Sequence, residues 1–134
     1  MREILFRGRR SNNVWLTGDV RFIGNRVEIC SGYCSVEIQP NTVGQFTGKL
    51  DKNKKKIFEG DIFHIEDDIF AVVVFSDGCF RLEEYGLCGT WTESGYDECG
   101  GGYGIIECEP IDWYSLFDME VIGNIHDNPE LIPR

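Results

Sequence analysis

Residues 57–85, IFEGDIFHIEDDIFAVVVFSDGCFRLEEY, decide the fold class of this chain. Apolar and polar residues alternate after Gly60-Asp61, and a nearly continuous apolar run from Ile69 to Phe75 follows a turn at Asp67-Asp68. Asp77-Gly78 is typical of a type I′ hairpin turn, in which both residues need positive φ. The stretch therefore predicts three short antiparallel strands joined by tight turns. A meander of this kind can twist and bend into a small SH3-like barrel, which has no free edges.

The rest of the chain continues the β pattern on both sides of this stretch. Short apolar runs at Ile4–Phe6 and Val14–Gly18 read as strands, and Gly24-Asn25 is a two-residue hairpin signal between two further runs. Near the end, Val121–Ile125 reads as a strand, and Pro129 after Asp127-Asn128 is typical of the start of a short helix or turn. We predict a mainly β fold that ends in this short turn or helix.

Length and composition predict one domain that spans residues 1–134. The chain has 134 residues, 42% of them hydrophobic and 13% aromatic, which is enough to form a packed core. We expect an N-terminal β subregion, residues 1–45, packed on an SH3-like barrel formed by residues 46–134. The first residues do not resemble a signal peptide, and the sequence contains no long apolar segment, so we expect a cytoplasmic protein.

Residues 86–104, GLCGTWTESGYDECGGGYG, interrupt the strand pattern with seven glycines. We expect a long surface excursion with its most flexible part at Gly100–Gly102, because glycine populates many backbone conformations. An alternative is a binding loop for a partner, in which aromatic side chains act as anchors. The candidate partner-binding residues of this loop are Trp91, Tyr96 and Tyr103.

Six cysteines raise the question of disulfides or a metal site. Disulfides are rare in the cytosol, so free thiols are expected, and cofactor motifs are not apparent in the sequence. A zinc site normally uses two close Cys/His pairs, whereas this chain has one close pair, Cys30 and Cys34. We therefore predict no metal site. If Cys30 and Cys34 did bind a metal ion, the candidates for the remaining ligands would be Cys99 and Cys108. The cysteines are Cys30, Cys34, Cys79, Cys88, Cys99 and Cys108.

Charge is distributed unevenly along the sequence. Residues 1–56 carry eleven Lys/Arg and five Asp/Glu, a net +6, whereas residues 57–134 carry two Lys/Arg and eighteen Asp/Glu, a net −16. This asymmetry suggests a nucleic acid, a charged protein partner, or association between opposite patches of two copies. The alternative is that folding interleaves the two halves, so that the asymmetry disappears in space.

The lysine-rich stretch of residues 51–56, DKNKKK, is the strongest basic feature. One interpretation is a solvated hairpin tip, since the stretch precedes a predicted strand. The other is a contact with nucleic acid or a partner, for which the candidate residues are Lys52, Lys54, Lys55 and Lys56. Contact with phosphate would combine these with Lys49, Arg7, Arg9 and Arg10, although the acidic remainder of the chain would repel it.

Three blocks of this sequence resemble the YopX family of bacteriophage and prophage proteins. The blocks are MREILFRGRR at residues 1–10, TVGQFTGKLDKNKKKIFEGDIF at 42–63 and EVIGNIHDNPELI at 120–132, in the order in which the family has them. The resemblance implies a mainly β fold with an SH3-like barrel and assigns no catalytic residue. In the family pattern a glycine usually follows the D-K-N of the turn, and here Lys54 stands in its place. Asn53 can still adopt a left-handed conformation, so we expect the hairpin to be kept, with its turn type left open. The excursion after Tyr85 matches no family motif.

Enzymatic activity is not expected, because the sequence lacks a nucleophile elbow, a phosphate-binding loop and a metalloprotease motif. His64 and His126 are expected to pack or cap rather than to catalyse. We expect an accessory protein of a phage or prophage that binds a host or phage protein. Alternatively, its acidic half mimics a nucleic-acid backbone and occupies a DNA-binding protein. A weaker alternative is nucleic-acid binding through the basic half, and a homo-oligomer is also compatible with the charges.

Overall fold

The computed structural model describes residues 3–87, 90–92, 95–97 and 103–132. The protein is mainly β, as predicted, and its described helices are single 3₁₀ turns at Pro40–Thr42, Ile111–Trp113, Leu116–Asp118 and Pro129–Leu131. None of the helices in these ranges is long and apolar enough to cross a membrane. The strands are β1 (Phe6–Arg9), β2 (Trp15–Ile23), β3 (Arg26–Ser31), β4 (Cys34–Ile38), β5 (Gly44–Leu50), β6 (Lys56–Phe58), β7 (Asp61–Glu66), β8 (Ile69–Ser76), β9 (Cys79–Leu87), β10 (Thr90–Thr92), β11 (Gly95–Asp97), β12 (Tyr103–Pro110) and β13 (Val121–Asn124).

The chain forms two compact units. The first comprises Met1–Lys49 and Lys56–Glu59, and the second comprises Leu50–Lys55 and Gly60–Arg134. The lysine-rich turn is therefore divided: Lys52, Lys54 and Lys55 belong to the second unit and Lys56 to the first. The division into an N-terminal subregion, residues 1–45, and a barrel, residues 46–134, remains a prediction.

The first unit contains a six-stranded sheet in the order β4-β3-β2-β1-β5-β6. The predicted Gly24-Asn25 hairpin is confirmed, since Ile23 pairs with Arg26 and Gly24 has a left-handed φ of 58°. The opening strand begins later than predicted, at Phe6 instead of Ile4. One hydrophobic cluster of this unit is formed by three buried residues with four partly buried neighbours: Val27, Ile29 and Ile38, and Phe6, Leu16, Val20 and Val43. Phe46, Ile57 and Phe58 of the same unit are also buried.

The second unit contains a five-stranded sheet in the order β12-β9-β8-β7-β13. The meander predicted from residues 57–85 is confirmed as β7, β8 and β9, which pair in antiparallel succession. Asp77 and Gly78 have left-handed φ values of 52° and 81° and connect the register pair Ser76 and Cys79, as a type I′ turn requires. Asp67, with a φ of 41°, lies in the preceding turn.

A closed SH3-like barrel is not observed in the described residues. The end strands β12 and β13 each have a single neighbour and are separated by β9, β8 and β7, so the sheet is open. Prediction from the meander alone did not account for the strands added at its two edges. Both faces of this open sheet are buried near its centre, because the consecutive residues Ile62 and Phe63 point to opposite faces and both have 0% exposure. Burial on both faces also explains the consecutive apolar residues 71–73 of β8, whereas Phe75 near the end of that strand is 54% exposed.

The C-terminal turn is as predicted. Asn128 occupies the N-cap position and Pro129 begins the 3₁₀ turn Pro129–Leu131. Directly after it, Ile132 is buried against Ile62 and Val72 of the second unit's sheet. The turn therefore closes one face of that sheet.

The predicted unstructured excursion is partly wrong. Strands β9 and β12 extend into it as a ladder that reaches the pair Leu87 and Tyr103, and β10 and β11 form a two-stranded hairpin within it. Threonine and aromatic residues favour strands, and they override the glycines around them. Residues 88–89, 93–94 and 98–102, including Gly100–Gly102, lie outside the described residues.

Candidate functional site

A buried carboxylate organises the lysine-rich turn. The side chain of Asp51 is 2% exposed. Its Oδ1 accepts hydrogen bonds from the backbone N–H groups of Asn53 (2.8 Å) and Lys55 (2.9 Å), and its Oδ2 accepts one from the N–H of Val121 (3.0 Å). Burial alone would raise the pKa of Asp51, but these three N–H groups and the charge of Lys55 outweigh it and hold the pKa below its ordinary value of 3.8. The turn is therefore a fixed element of the second unit.

The left-handed residue of this turn is Lys54, with a φ of 62°. Asn53, which the sequence offered for this conformation, does not take it. Lysine has a Cβ that disfavours the left-handed region, which glycine adopts freely. Two bonds to Asp51, from the N–H groups of Asn53 and Lys55, fix the backbone path on either side of Lys54, which explains how the strained conformation is retained.

Two of the four candidate lysines are paired with carboxylates. Lys52 Nζ lies 3.5 Å from Glu120 Oε2, and both side chains are about half exposed. Lys56 Nζ lies 3.0 Å from Glu3 Oε1 and also 5.4 Å from the ring centroid of Phe46. Lys54 and Lys55 are exposed. The positive charge available to a phosphate is thus smaller than the sequence suggests.

Arg7 is not part of an exposed basic patch, which corrects the predicted nucleic-acid surface. Its guanidinium is buried, 8% exposed, and lies over the rings of Trp15 (4.8 Å) and Phe58 (5.0 Å). It also donates a hydrogen bond to the carbonyl oxygen of Glu59 at 3.1 Å. Arg9 lies 5.9 Å from the ring centroid of Trp15. These contacts give Arg7 a structural role in the first unit.

The charge asymmetry persists between the two units. The residues of the first unit include eight Lys/Arg and five Asp/Glu, a net +3, and those of the second include five Lys/Arg and eighteen Asp/Glu, a net −13. Three of the lysines predicted as a basic surface therefore belong to the acidic unit. An approaching polyanion would meet the repulsion of that unit as well as the attraction of the turn.

The second unit has an open groove with a volume of about 370 Å³. Its rim carries the carboxylates of Asp118 and Glu120, and the latter is the partner of Lys52. His64 is exposed, and its Nε2 lies 2.8 Å from the carbonyl oxygen of Asp67. We call this feature the acidic groove; its lining residues are Lys52, His64, Ile65, Tyr114, Asp118, Met119, Glu120 and Ile122.

Two large aromatic side chains are exposed next to groove residues in the sequence. Trp113 is 73% exposed and Phe117 is 81% exposed, whereas Ile111 and Leu116 in the same segment are 5% exposed. The buried pair anchors the two 3₁₀ turns, and the aromatic pair is left on the surface. Sequence analysis missed Trp113 and Phe117. The run WYSLF between two acidic residues was the available signal, but it lacks the strand or helix period that separates surface from core.

Tyr114 lies between these two aromatic residues in the sequence and binds a buried carboxylate. Its hydroxyl donates a hydrogen bond to Oε2 of Glu84, which is 8% exposed. Burial and then this hydrogen bond, together with the negative charges of Glu84, Glu107 and Glu109, raise the pKa of Tyr114 above its ordinary value of 10. The phenol, which also lines the acidic groove, is thus held in its protonated, donating form.

The three aromatic residues predicted as loop anchors lie in described strands. Trp91 and Tyr96 are register partners in the β10–β11 hairpin, and Tyr103 pairs with Leu87 at the end of β12. Their side chains lie outside the described residues. Their role as partner-binding residues stays a prediction.

The close cysteine pair cannot bind one metal ion together. Cys30 pairs with Ser35, and Ser31 pairs with Cys34, across the β3–β4 ladder. Because neighbouring residues of a strand point to opposite faces, Cys30 and Cys34 lie on opposite faces of the sheet. Cys30 Sγ instead lies 3.1 Å from Ser35 Oγ. Burial, chiefly, raises the pKa of the Cys108 thiol, and Cys88 and Cys99 lie outside the described residues.

Comparison with known proteins supplies a family for this combination of sheets, turn and groove. A family model described as YopX protein matches residues 15–133. The match begins after β1 and includes residues of both units, the lysine-rich turn and the acidic groove. No curated protein matches the chain.

Proposed function

The chain belongs to the YopX family, and from this premise we propose that it is a non-enzymatic binding module of a phage or prophage. Its partner is a host or phage protein in the host cytoplasm. The observation that carries this proposal is the exposure of Trp113 and Phe117. Aromatic residues of this size are enriched at the energetic centres of protein interfaces, where their burial excludes water.

The surroundings of the aromatic pair favour a protein partner with a basic surface. Asp112 and Asp118 flank the pair in the sequence and are exposed, and the second unit carries a net charge of −13. Complementary charge would accelerate the encounter and orient the partner, and the aromatic side chains would supply the binding energy.

The test is capture of a partner from host lysate by the tagged full chain and by two variants. Trp113→Ala/Phe117→Ala removes the aromatic pair, and Tyr33→Ala is the matched control, since Tyr33 is a fully exposed aromatic residue of the first unit. We expect a stoichiometric partner that survives nuclease treatment, is lost with the double variant and is kept by the control. Equal capture by all three chains would remove the aromatic pair as the binding site.

A second candidate is mimicry of nucleic acid by the second unit, which the net charge of −13 supports. In that case the captured protein is a DNA-binding protein, duplex DNA displaces it, and loss of the aromatic pair changes little. The third candidate, direct binding of nucleic acid, is weakened by the pairing of Lys52 and Lys56 and by the burial of Arg7. Recovery of nucleic acid alone, lost at higher salt, would support it over the first two.

A further inference from the structure

The tip of the β2–β3 hairpin is an exposed segment with both apolar and cationic side chains. All six residues from Arg21 to Arg26 are exposed. Phe22 is 69% exposed and Ile23 is 37% exposed, although both lie in or next to regular strand pairing. Neither belongs to the core of the first unit, which ends on this strand at Val20.

The register of the hairpin gives the tip two different faces. Ile23 pairs with Arg26, and Arg21 lies two residues before Ile23, so these three side chains share one face. The half-buried Glu28, opposite Arg21, lies on the same face, which keeps a net positive charge. Phe22 points to the opposite face. The tip thus presents Ile23 between two guanidinium groups, with the exposed Phe22 on its other face. A complementary surface would carry carboxylates around apolar side chains.

The acidic groove of the second unit has that chemistry. Asp118 and Glu120 supply two carboxylates against the single ammonium group of Lys52, which is paired with Glu120. The apolar side chains of the groove are those of Ile65, Met119 and Ile122. Ile122 is 41% exposed, so part of this apolar surface is in contact with water. Burial of such surface favours association, and guanidinium groups bind carboxylates through paired hydrogen bonds.

We infer that a second copy of this chain inserts its β2–β3 hairpin tip into the acidic groove. Charge complementarity supports this occupant, because the hairpin belongs to a unit of net +3 and the groove to a unit of net −13. The two surfaces differ, so each copy retains one tip and one groove for further copies, and association proceeds head to tail. The tip contains no residue of the proposed partner-binding pair, whereas Asp118 belongs to the groove and also flanks that pair in the sequence. The tip variants therefore test this inference independently of the proposed partner.

Sedimentation velocity of the full chain over a range of concentrations tests the inference. Between about 0.1 M and about 1 M salt the screening length falls from about 10 Å to about 3 Å. We expect oligomers that grow with concentration at low salt and an apparent dissociation constant that rises about tenfold at high salt. A chain that stays monomeric at every concentration and salt overturns the inference.

Charge-reversal variants identify the surfaces. Arg21→Glu/Arg26→Glu alters the tip and Asp118→Lys/Glu120→Lys alters the groove, and we expect each variant alone to be monomeric. An equimolar mixture of the two should associate again, because each altered surface then meets its complement. Arg10→Glu, an exposed arginine of the first unit outside the tip, is the matched control and should associate like the wild type.

Two further readouts separate this inference from its alternatives. The groove variant loses the ion pair of Glu120 with Lys52, so Phe22→Ser supplies a test that leaves the groove intact, and it should also weaken association. Association that persists in both tip variants means that another surface is used and refutes the inference. Partner capture by Arg21→Glu/Arg26→Glu shows separately whether the proposed function holds.

Discussion

Replacement of Asp51 by asparagine tests how the lysine-rich turn is held. The two carboxylate oxygens of Asp51 accept three backbone N–H groups, from Asn53, Lys55 and Val121. Asparagine has nearly the same shape but a single acceptor oxygen. If that oxygen keeps the bonds to Asn53 and Lys55, the amide NH₂ faces the N–H of Val121, and two donors oppose each other at a buried position.

The expected loss follows from the bonds that change. A hydrogen bond to a charged group contributes about 1.5–3 kcal/mol, and an unsatisfied buried donor costs about 1–3 kcal/mol. One of the three bonds is lost and two acquire a neutral acceptor, so Asp51→Asn should lower the free energy of unfolding by about 3 kcal/mol. Asp51→Ala removes all three bonds, but its effect should be only slightly larger, about 4 kcal/mol, because the N–H groups of the turn can bind water instead.

The same carboxylate contributes a pH dependence. The pKa of Asp51 is held below 3.8 in the folded chain, so the unfolded chain binds the proton more tightly. Its stabilising contribution is therefore present above about pH 4 and is lost as the pH falls through the folded pKa. Asp51→Asn has no charge to lose at this position, so the difference in stability between wild type and variant should shrink below about pH 4.

Urea unfolding followed by far-UV circular dichroism measures these differences, and hydrogen exchange of the Val121 amide reports the lost bond directly. Asp19→Asn is the matched control, because Asp19 is exposed on β2, and it should change stability by no more than about 0.5 kcal/mol. If Asp51→Asn is as stable as this control, or if exchange at Val121 is unchanged, the three-bond description of the turn is wrong.

Three further substitutions test other parts of the structure. Lys54→Gly should raise the urea midpoint, with a gain of about 1 kcal/mol, because glycine relieves the left-handed strain at this position; the same change at Asn53 should bring no gain. Arg7→Lys should destabilise the chain by about 1–2 kcal/mol, since lysine cannot reproduce the planar stacking, and an unchanged melting temperature would contradict the structural role of Arg7. Tyr114→Phe should lower the free energy of unfolding by about 1–3 kcal/mol, because Glu84 loses the hydrogen bond that Tyr114 donates. An ultraviolet titration of the variant should also lack one phenol whose pKa lies above its ordinary value of 10. Because that pKa is raised on folding, the wild type should lose this contribution as the pH rises above about 10, and the variant should not.

Local sequence determined the strands and turns of this protein. The alternation and the Asp77-Gly78 pair in residues 57–85 predicted the meander, Gly24-Asn25 predicted the first hairpin, and Pro129 predicted the last turn, because each depends on backbone preferences of adjacent residues. The resemblance to the YopX family was also recognised from three blocks of sequence, and the family match confirms membership of that family. The backbone conformation that a residue favours locally is kept in the fold where the tertiary contacts around it favour the same conformation.

The tertiary structure decided closure, burial and the placement of charge. Whether the meander closes depends on strands far away in the sequence, and β12 and β13 extend the sheet instead of closing it. Arg7 and Asp51 are charged residues, which the sequence alone predicts to be exposed. In the structure both are buried. Arg7 lies over the rings of Trp15 and Phe58, and Asp51 accepts a hydrogen bond from the N–H of Val121. The acidic groove combines residues from 52 to 122. These features arise from contacts between residues that lie far apart along the chain, which composition and periodicity do not encode.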